Sequence, residues 1–241
     1  MDLYIVTGSS RGLGLALVRQ LCSAPDTRVV GISRGGMAQD SLWRDVRADL
    51  SSNEGQQAAA SAIRDALAAE AWQRAVLINN AGMLEPLGLY GAIDAAGIQR
   101  STAVNLTAPM VLMSAFLAAS DDVRGRSVIN ISSGSGRRPI AGSGVYCAAK
   151  AGLDMASRVA ALEAEARGTL VNVCSLAPGI IDTDMQVVAR AATVEQLPDV
   201  ERFRAFKSEG MLKTGEEVAA KIIGLDRAGK LPAGIADLRE L

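Results

Sequence analysis

The chain has 241 residues, of which 49% are hydrophobic, and its formal net charge is −1. This length and apolar content suffice for a large buried core, and the mixed charges form no basic stripe of the kind that nucleic-acid-binding proteins carry. Histidine is absent, which excludes Ser-His-Asp and Cys-His hydrolytic machinery and any His-based metal site.

Short apolar runs alternate with stretches of helical periodicity along the whole chain. Strands are predicted at Leu3–Val6, Val29–Ile32, Ala48–Leu50 (the end of a weak strand), Ala75–Ile78, Arg126–Ile131, Leu170–Ser175 and Gly234–Leu238. Helices are predicted at Leu13–Leu21, Asn53–Ala69, Ser101–Ala119 (with a kink at Pro109), Val145–Arg167 and Gly215–Ala228. This alternation predicts an α/β fold, in which a Rossmann-like, doubly wound parallel sheet is covered by helices on both faces.

The sequence indicates one cytoplasmic domain spanning residues 1–241. The sequence contains no run of about 18 apolar residues, so no membrane span is predicted. The N-terminal residues lack the basic segment, apolar core and cleavage site of a signal peptide. The three cysteines, Cys22, Cys147 and Cys174, are scattered, as expected for thiols in a reducing compartment, and too far apart for a zinc cluster. We therefore expect no metal, no membrane partner and no nucleic-acid partner.

A glycine-rich loop follows the first predicted strand. The run Thr7-Gly8-Ser9-Ser10-Arg11-Gly12-Leu13-Gly14 lies between a strand and an amphipathic helix, which is the context of a phosphate-binding loop at a helix N-terminus. Its spacing is Gly-x-x-x-Gly-x-Gly, and a plain turn is the alternative. The residues expected to contact a cofactor are Gly8, Ser10, Arg11, Gly12, Leu13 and Gly14.

The end of the second strand bears on the choice of cofactor. NAD sites carry an acidic residue there for the ribose, whereas this chain has Ser33 and Arg34. Arg34 and Arg11 near the adenosine ribose would suit a 2′-phosphate, which favours NADPH. The alternative is that both arginines are solvated on the surface.

Two further turns complete the predicted cofactor site. Asp49 and Leu50 follow the third strand and are placed to meet the adenine. The run Asn79-Asn80-Ala81-Gly82 closes the next strand, where Asn80, Ala81 and Gly82 would let the cofactor lie against the backbone while the amides brace neighbouring loops. A simple Asn-rich turn is the alternative for this run.

Ser133, Tyr146 and Lys150 form the candidate catalytic group. If the segment around Tyr146 is helical, Lys150 lies on the same face one turn later. A phenol has a pKa of about 10, and a neighbouring cation lowers it, which would make Tyr146 a usable proton donor. The alternative is a buried ring beside a solvated amine.

These segments together resemble the short-chain dehydrogenase/reductase family over essentially the whole chain. The matching motifs occur in the family's order and spacing: Thr7–Gly14, Asn79–Gly82, Ser133, Tyr146-x-x-x-Lys150 and Pro178-Gly179-x-x-x-Thr183. Within the family the chain is similar to the bacterial benzil reductases and to the related sepiapterin reductases, which reduce one carbonyl of a vicinal diketone with NADPH.

The resemblance implies a role for each matching residue. Tyr146 would be the catalytic acid, Lys150 would lower its pKa and bind the nicotinamide ribose, and Ser133 would orient the substrate carbonyl. Asn105 would hold a water linked to Lys150. Ile181 and Thr183 would contact the nicotinamide carboxamide. The other implied cofactor contacts are Tyr146, Lys150, Pro178 and Gly179.

The expected function is therefore NADPH-dependent reduction of a ketone, of the benzil-to-benzoin type, on a small-molecule carbonyl substrate. The alternatives are an NAD-linked secondary alcohol dehydrogenase and a non-catalytic NADPH-binding protein. A homodimer is expected, with a tetramer as the alternative. Many family members end in a longer Gly-rich strand that helps to build a tetramer, whereas this chain stops at Leu241, soon after Asp237.

The less regular segment Asp182–Met211 is interpreted as an insertion at the carboxyl edge of the sheet. It is expected to form either a lid over the substrate or a purely structural helical hairpin. Candidate apolar residues for a lid are Met185, Val187, Val188, Leu197, Phe203, Phe206, Met211 and Leu212. Sepiapterin reductases hold their pterin with an Asp near the C-terminus, and Asp237 falls in a similar short Gly-x-x-Asp context, which would make it a substrate contact. The favoured expectation is a surface position near the terminus.

Overall fold

The computed structural model describes residues 1–36 and 43–241 of the chain. Within that part, seven strands form one sheet: Asp2–Thr7 (β1), Thr27–Ser33 (β2), Arg44–Arg47 (β3), Arg74–Asn79 (β4), Gly125–Ile131 (β5), Val171–Ala177 (β6) and Gly234–Asp237 (β7). The strand order is β3-β2-β1-β4-β5-β6-β7, and every neighbouring pair is parallel. The order reverses between β1 and β4, which is the switch point of a doubly wound sheet. The predicted α/β fold is confirmed.

Helices cover both faces of this sheet. Their bounds are Gly12–Cys22 (α1), Asn53–Ala69 (α2), Ala95–Thr102 (α3), Ala108–Ala119 (α4), Gly144–Ala166 (α5), Asp184–Ala191 (α6), Val200–Ser208 (α7) and Gly215–Arg227 (α8), and a π-helical turn at Ala103–Thr107 joins α3 to α4. One core contains side chains of α2, α4 and α5, and the other contains side chains of α1 and α8. The sheet is therefore buried on both sides.

The first strand shows why the strands are apolar throughout. Successive side chains of a strand point to opposite faces. Leu3 and Ile5 pack into the core under α2, α4 and α5, whereas Tyr4 and Val6 pack into the core under α1 and α8. An alternating apolar and polar pattern would leave one of these cores unfilled.

The third strand lies earlier in the chain than predicted. It spans Arg44–Arg47, and the apolar residues Ala48 and Leu50 follow it in the loop, where they are buried. The strand itself contains three charged residues and one apolar residue, Val46, because it is the edge of the sheet, where charged side chains are typical. Ala48 and Leu50 are apolar because they are buried in the loop, not because they belong to the strand.

The long apolar helix is interrupted before Pro109 and not at it. The chain runs from α3 through the π turn into α4, and the Ala108 amide bonds to the Ala103 carbonyl across the wider turn. Proline lacks an amide hydrogen, and its ring clashes with the carbonyl four residues earlier, so the wider turn relieves that clash.

Residues Ala95–Ala119 are long and apolar enough to cross a membrane, but Leu112 and Phe116 are fully buried in the domain core, as in the core helix of a globular protein.

The segment predicted to be irregular contains two short helices, α6 and α7. Ala189, Ala192, Leu197 and Val200 form a small core of their own, against which Leu84, Leu87, Ile140 and Phe203 pack. Leu197 is fully buried in this core and is therefore not available to line a substrate site. The segment is seated on the loops that follow β4 and β5.

Candidate active site

The candidate site lies along the carboxyl edge of the sheet. Loops leave this edge after β1, β4, β5 and β6, and they carry Gly8, Asn80, Ser133 and Pro178 respectively. The strands are parallel neighbours, so these loops emerge side by side around the switch point, where doubly wound folds bind their ligands.

The glycine loop approaches the loop after β4 so closely that side chains are excluded. Gly8 and Gly12 have φ values of +66° and +53°, a region that favours glycine. A Cβ at Gly8 would lie 2.9 Å from the Cα of Ala81, and a Cβ at Gly14 would overlap the carbonyl oxygen of Gly8. The loop thus presents bare backbone at the N-terminus of α1.

Amide groups brace the two loops, as predicted. The Thr7 hydroxyl accepts hydrogen bonds from the Asn80 amide (2.9 Å) and the Ala81 amide (3.0 Å), while Asn80 Nδ2 donates to the Thr7 carbonyl (2.9 Å). Asn79 is different: it lies buried in β4, and its Nδ2 donates to Asn130 Oδ1 at 2.8 Å. Asn79 therefore stabilises the core and does not face the site loops.

At the part of the site predicted to hold the adenosine, Arg34 lies near Asp49, whereas Arg11 pairs with a residue of another segment. The pKa of Asp49 is lowered, chiefly by a hydrogen bond from the Ser51 amide and to a smaller extent by the charge of Arg34. Arg11 instead forms an ion pair with Asp184 at the start of α6, with Nη1 2.9 Å from Oδ2. The two arginines predicted to share one 2′-phosphate site thus have different partners in this structure.

Ser133, Tyr146 and Lys150 come together at the start of α5. The Ser133 side chain interacts with the phenol of Tyr146 closely enough to lower its pKa, and its Oγ accepts a hydrogen bond from the Ser135 amide at 3.1 Å. Lys150 Nζ lies 5.6 Å from the centroid of the Tyr146 ring. Lys150 Nζ also donates to the Ile131 carbonyl at 2.8 Å. The predicted catalytic group is therefore assembled on one helix face and the adjoining loop.

The pKa of Tyr146 is shifted in the direction opposite to the prediction. Burial raises it to about 12, and the interaction with Ser133 offsets only part of that shift. Burial also lowers the pKa of Lys150 to about 8. Desolvation disfavours the charged form of each group, and it is the largest cause of both shifts.

Asn105 lies at the centre of the π turn, fully buried. Its Nδ2 donates to the Met83 carbonyl (2.8 Å) and to Ser101 Oγ (3.1 Å), and its Oδ1 accepts from the Met83 amide (3.1 Å). A Cβ at Gly82 would lie 3.1 Å from Asn105 Oδ1 and 3.8 Å from Lys150 Nζ. Asn105 and Lys150 thus flank Gly82, at the kind of π turn that is frequent at functional sites.

The loop after β6 closes the site from the other side. Gly179 has a φ of +86°, and Ile181 is buried and bridges to Lys213. The Cβ position of Gly12 lies 3.3 Å from Thr183 Cγ2. Pro178, which begins this loop, is partly buried. The start of α6 therefore lies against the glycine loop.

The predicted surface position of Asp237 is wrong. Asp237 is only 8% exposed at the end of β7, and Arg239 donates to its Oδ1 from the backbone amide (3.0 Å) and from Nε (2.9 Å). These bonds lower the pKa of Asp237 to about 2. The carboxylate closes the turn after β7 because the sheet continues to that residue.

Sequence reasoning missed one partly buried ion pair beside the candidate catalytic group. Arg137 Nε lies 3.2 Å from Asp154 Oδ2, and Ser175 Oγ donates to Asp154 Oδ1 at 2.6 Å. The available signal was spacing, because Asp154 follows Lys150 by one helical turn, as Lys150 follows Tyr146.

The site fits a dinucleotide cofactor. The excluded Cβ positions at Gly8 and Gly14 leave backbone amides bare at a helix N-terminus, which suits a diphosphate. The hydroxyls of Ser9 and Ser33 are buried at this edge without a hydrogen-bond partner in the described structure. Buried polar groups of this kind are usually satisfied, so a ligand that bonds to them would complete the site.

Comparisons with known proteins agree with this arrangement. The family model of the short chain dehydrogenases matches residues 3–193. The chain is 32% identical over 242 residues to "Benzil reductase ((S)-benzoin forming)" of Bacillus subtilis (strain 168), covering 100% of this chain and 99% of that protein. It is 36% identical over 240 residues to sepiapterin reductase of Meriones unguiculatus, covering 92% and 89%. The crystal structure of the KRED1-Pglu enzyme superposes with a TM-score of 0.81 at 25% identity, covering 98% of this chain and 100% of that one.

Proposed function

The chain belongs to the short-chain dehydrogenase/reductase family of oxidoreductases, and we propose that it reduces ketones with NADPH, acting on one carbonyl of a 1,2-diketone of the benzil type. The observation that carries the proposal is the grouping of three side chains: Ser133 interacts with the Tyr146 phenol closely enough to lower its pKa, and Lys150 Nζ lies 5.6 Å from the centroid of the Tyr146 ring. The names of the relatives, benzil reductase and sepiapterin reductase, support a diketone as the substrate class.

The proposed chemistry uses Ser133 and Tyr146 to receive the carbonyl oxygen. A nicotinamide cofactor, of the kind that members of this family bind, supplies the hydride when bound. Tyr146 keeps its proton throughout the neutral range, since its pKa is about 12, and gives it to the oxygen as negative charge develops there. Ser133 donates a hydrogen bond to the same oxygen and stabilises that charge.

Lys150 and Asn105 support this group. Lys150 is held by the Ile131 carbonyl, and its ammonium stabilises negative charge on Tyr146 while the proton leaves. Asn105 is fixed by Met83 and Ser101 and borders the same space at Gly82. We propose that Asn105 connects Lys150 to solvent through a water, so that Tyr146 is reprotonated between turnovers.

The preference for NADPH rests on the end of β2. The two residues at this turn are Ser33 and Arg34, and neither is the acidic residue that NAD sites carry there. The buried Ser33 hydroxyl has no hydrogen-bond partner in the described structure. We propose that Ser33 and Arg34 hold the 2′-phosphate, while Asp49 and Leu50 border the adenine.

The remaining cofactor contacts are proposed on the loops of the carboxyl edge. The residues proposed there are Gly8, Ser10, Arg11, Gly12, Leu13, Gly14, Asn80, Ala81, Gly82, Pro178, Gly179, Ile181 and Thr183. They lie on the loops that follow β1, β4 and β6 and in the first turn of α1. Tyr146 and Lys150 are proposed to contact the cofactor as well.

We propose that residues 182–211 act as the lid of a single catalytic domain, residues 1–241. Met185 supports this role, because its Cε lies 3.8 Å from the Cβ position of Gly82, as does Lys150 Nζ. An apolar side chain from α6 thus reaches the candidate catalytic group. An apolar lid over a polar catalytic group is the arrangement that suits an aromatic diketone.

We propose that the enzyme is a cytoplasmic homodimer that pairs through α4 and α5. Met155, Val159 and Leu162 follow one another at spacings of four and three along α5, and Met110 projects from α4. These four side chains are between 45% and 66% exposed, and apolar patches on a surface often mark interfaces. Size-exclusion chromatography with light scattering should give a dimer for the native chain and a monomer for Leu162→Asp.

A substrate screen tests the function. Oxidation of NADPH and of NADH is measured side by side with benzil, other 1,2-diketones, sepiapterin and simple monoketones. The proposal expects turnover of a diketone with NADPH and much slower turnover with NADH. Reduction of NAD⁺ by secondary alcohols without diketone turnover would favour the alcohol dehydrogenase alternative. Cofactor binding without turnover of any substrate would favour a non-catalytic binding protein.

A further inference from the structure

Asp154 continues the line of functional side chains on α5. Tyr146, Lys150 and Asp154 are spaced by four residues, so they lie along one face of the helix. They are 6%, 4% and 4% exposed, respectively. A carboxylate at such a depth requires partners, because an unpaired buried charge is strongly disfavoured.

The partners of Asp154 come from the elements that frame the catalytic group. Arg137 lies in the turn after Ser133, and its Nε is 3.2 Å from Asp154 Oδ2. Ser175 of β6 donates to Asp154 Oδ1 at 2.6 Å, and Arg137 Nη2 donates to the Ala236 carbonyl of β7 at 3.0 Å. One buried carboxylate therefore links the Ser133 turn, α5, β6 and β7.

The Ser133 turn is also in direct backbone contact with α5. A Cβ at Gly136 would lie 2.8 Å from the carbonyl carbon of Lys150, so the turn and the helix meet where Lys150 is anchored. Arg137 follows Gly136 directly and reaches Asp154 one helical turn further on. The ion pair thus stabilises the contact that sets Ser133 opposite Tyr146 and Lys150.

The charges around Lys150 give Asp154 a second effect. Burial lowers the pKa of Lys150 to about 8, and the charge of Asp154 opposes that shift. The titratable groups on the surrounding elements are Tyr146 and Asp154 on α5, Arg137 in the turn, Cys174 on β6 and Asp237 on β7. Burial raises the pKa of the Cys174 thiol to about 12, so that thiol is neutral at pH 7. Arg137 lies between the carboxylates of Asp154 and Asp237 and partly offsets both.

We propose that Asp154 is a positioning residue: through Arg137 its carboxylate fixes the Ser133 turn against α5, and it places a negative charge one helical turn from Lys150. The consequence for catalysis rests on the proposed function, in which Lys150 and Ser133 act. The effect of Asp154 on the charge of Lys150 does not depend on turnover and is measured separately.

Titration by NMR tests the effect on charge without any substrate. In protein labelled with ¹³C at the lysine Cε, the signals come from Lys150, Lys207, Lys213, Lys221 and Lys230, and Lys150→Arg assigns the buried one. The native signal should titrate near the value of about 8 expected for Lys150. Asp154→Asn should lower that midpoint by about 0.5–1 unit, since it removes a nearby opposite charge.

Two further variants make the titration decisive. Ser175→Ala removes a hydrogen bond from the same carboxylate but no charge, so it should leave the midpoint at the native value. Arg137→Gln removes the charge that offsets Asp154, so it should raise the midpoint. A midpoint that stays unchanged in Asp154→Asn, or that does not rise in Arg137→Gln, overturns the proposal. If Asp154→Asn does not fold, the Arg137→Gln comparison alone decides.

The pH dependence of kcat/KM tests the link to catalysis. The protonated form of Lys150 is the active one, so activity should fall as the pH rises through its pKa. This basic limb should move to lower pH in Asp154→Asn by the shift seen in the NMR titration, and it should stay in place in Ser175→Ala. A limb that does not follow the NMR midpoint overturns the positioning role. Absence of turnover with every ketone counts against the proposed function alone, because the NMR titration is unaffected by it.

Discussion

Arg11 in the glycine loop forms an ion pair with Asp184 at the start of α6, with 2.9 Å between Nη1 and Oδ2. The pair joins the proposed diphosphate-binding loop to the proposed lid. The two side chains are 65% and 67% exposed, so the pair itself contributes less than about 1 kcal/mol to stability. Its effect should therefore appear in cofactor binding and not in the free energy of unfolding.

The variant Asp184→Asn should strengthen NADPH binding several-fold at low salt. It removes a negative charge beside the loop proposed to bind the phosphates. Arg11 is then no longer paired with a carboxylate, so its full charge attracts the phosphates. The dissociation constant is measured by NADPH fluorescence at low and at high ionic strength, and the gain should shrink with salt because surface charges are screened.

A matched control comes from the same segment. Asp182 pairs with Lys207 of α7, not with Arg11, so Asp182→Asn removes an equal charge from the lid without touching the glycine loop. An equal gain in both variants would show that the net charge of the lid matters and that the pair does not.

The variant Arg34→Ala should reduce the preference for NADPH over NADH. A charge-assisted hydrogen bond to a phosphate is worth about 1.5–3 kcal/mol, so KM for NADPH should rise roughly tenfold to a hundredfold while KM for NADH changes little. Arg28 offers a control, because it is exposed near the amino-terminal end of β2, whereas Arg34 directly follows the carboxyl end of that strand. A parallel rise for both cofactors in Arg34→Ala would contradict a 2′-phosphate site.

Features that depend on local sequence were predicted well. Helix α2 has the predicted bounds, and Ser52 caps it by accepting a hydrogen bond from the Gly55 amide. The loop between β1 and α1 was recognised because glycine is required where the backbone passes too close for a Cβ, as where Gly14 approaches the Gly8 carbonyl. Ser133, Tyr146 and Lys150 were brought together because two of them share a helix face and the third lies at the end of the neighbouring strand β5.

Features that depend on distant contacts were missed or predicted in the wrong direction. Nothing in the local sequence distinguishes Asp154 from an exposed carboxylate on an Ala-rich helix. Its partners Arg137 and Ser175 are 17 and 21 residues away in the chain. The pKa of Tyr146 was expected to fall because its neighbour in sequence is a cation, whereas burial by the whole fold raises it. Helices α6 and α7 are short, with 8 and 9 residues, and they pack on a core drawn from several loops, which local periodicity does not reveal.

The variant Gly14→Ala should destabilise the protein and abolish NADPH binding. The added methyl group would overlap the backbone carbonyl of Gly8, and neither backbone segment can move without breaking the glycine loop. The free energy of unfolding in urea should fall by about 2–4 kcal/mol, as for other overpacked buried sites. Gly224→Ala is the control, since nothing lies within 4 Å of its Cβ position in α8. It should raise stability by about 0.5–1 kcal/mol through helix propensity.

The variant Tyr146→Phe should lower kcat for diketone reduction by about 10²–10⁴-fold, the usual contribution of a positioned general acid. The ring still fills its buried place on α5, so NADPH affinity and the unfolding midpoint should stay close to the native values. Tyr90→Phe is the matched control, because Tyr90 is 72% exposed and losing its hydroxyl should not change the rate. Single-turnover kinetics separate the chemical step from product release. Full activity in Tyr146→Phe would contradict proton donation by the phenol, and a rate loss accompanied by weaker NADPH binding would assign Tyr146 to the cofactor site instead.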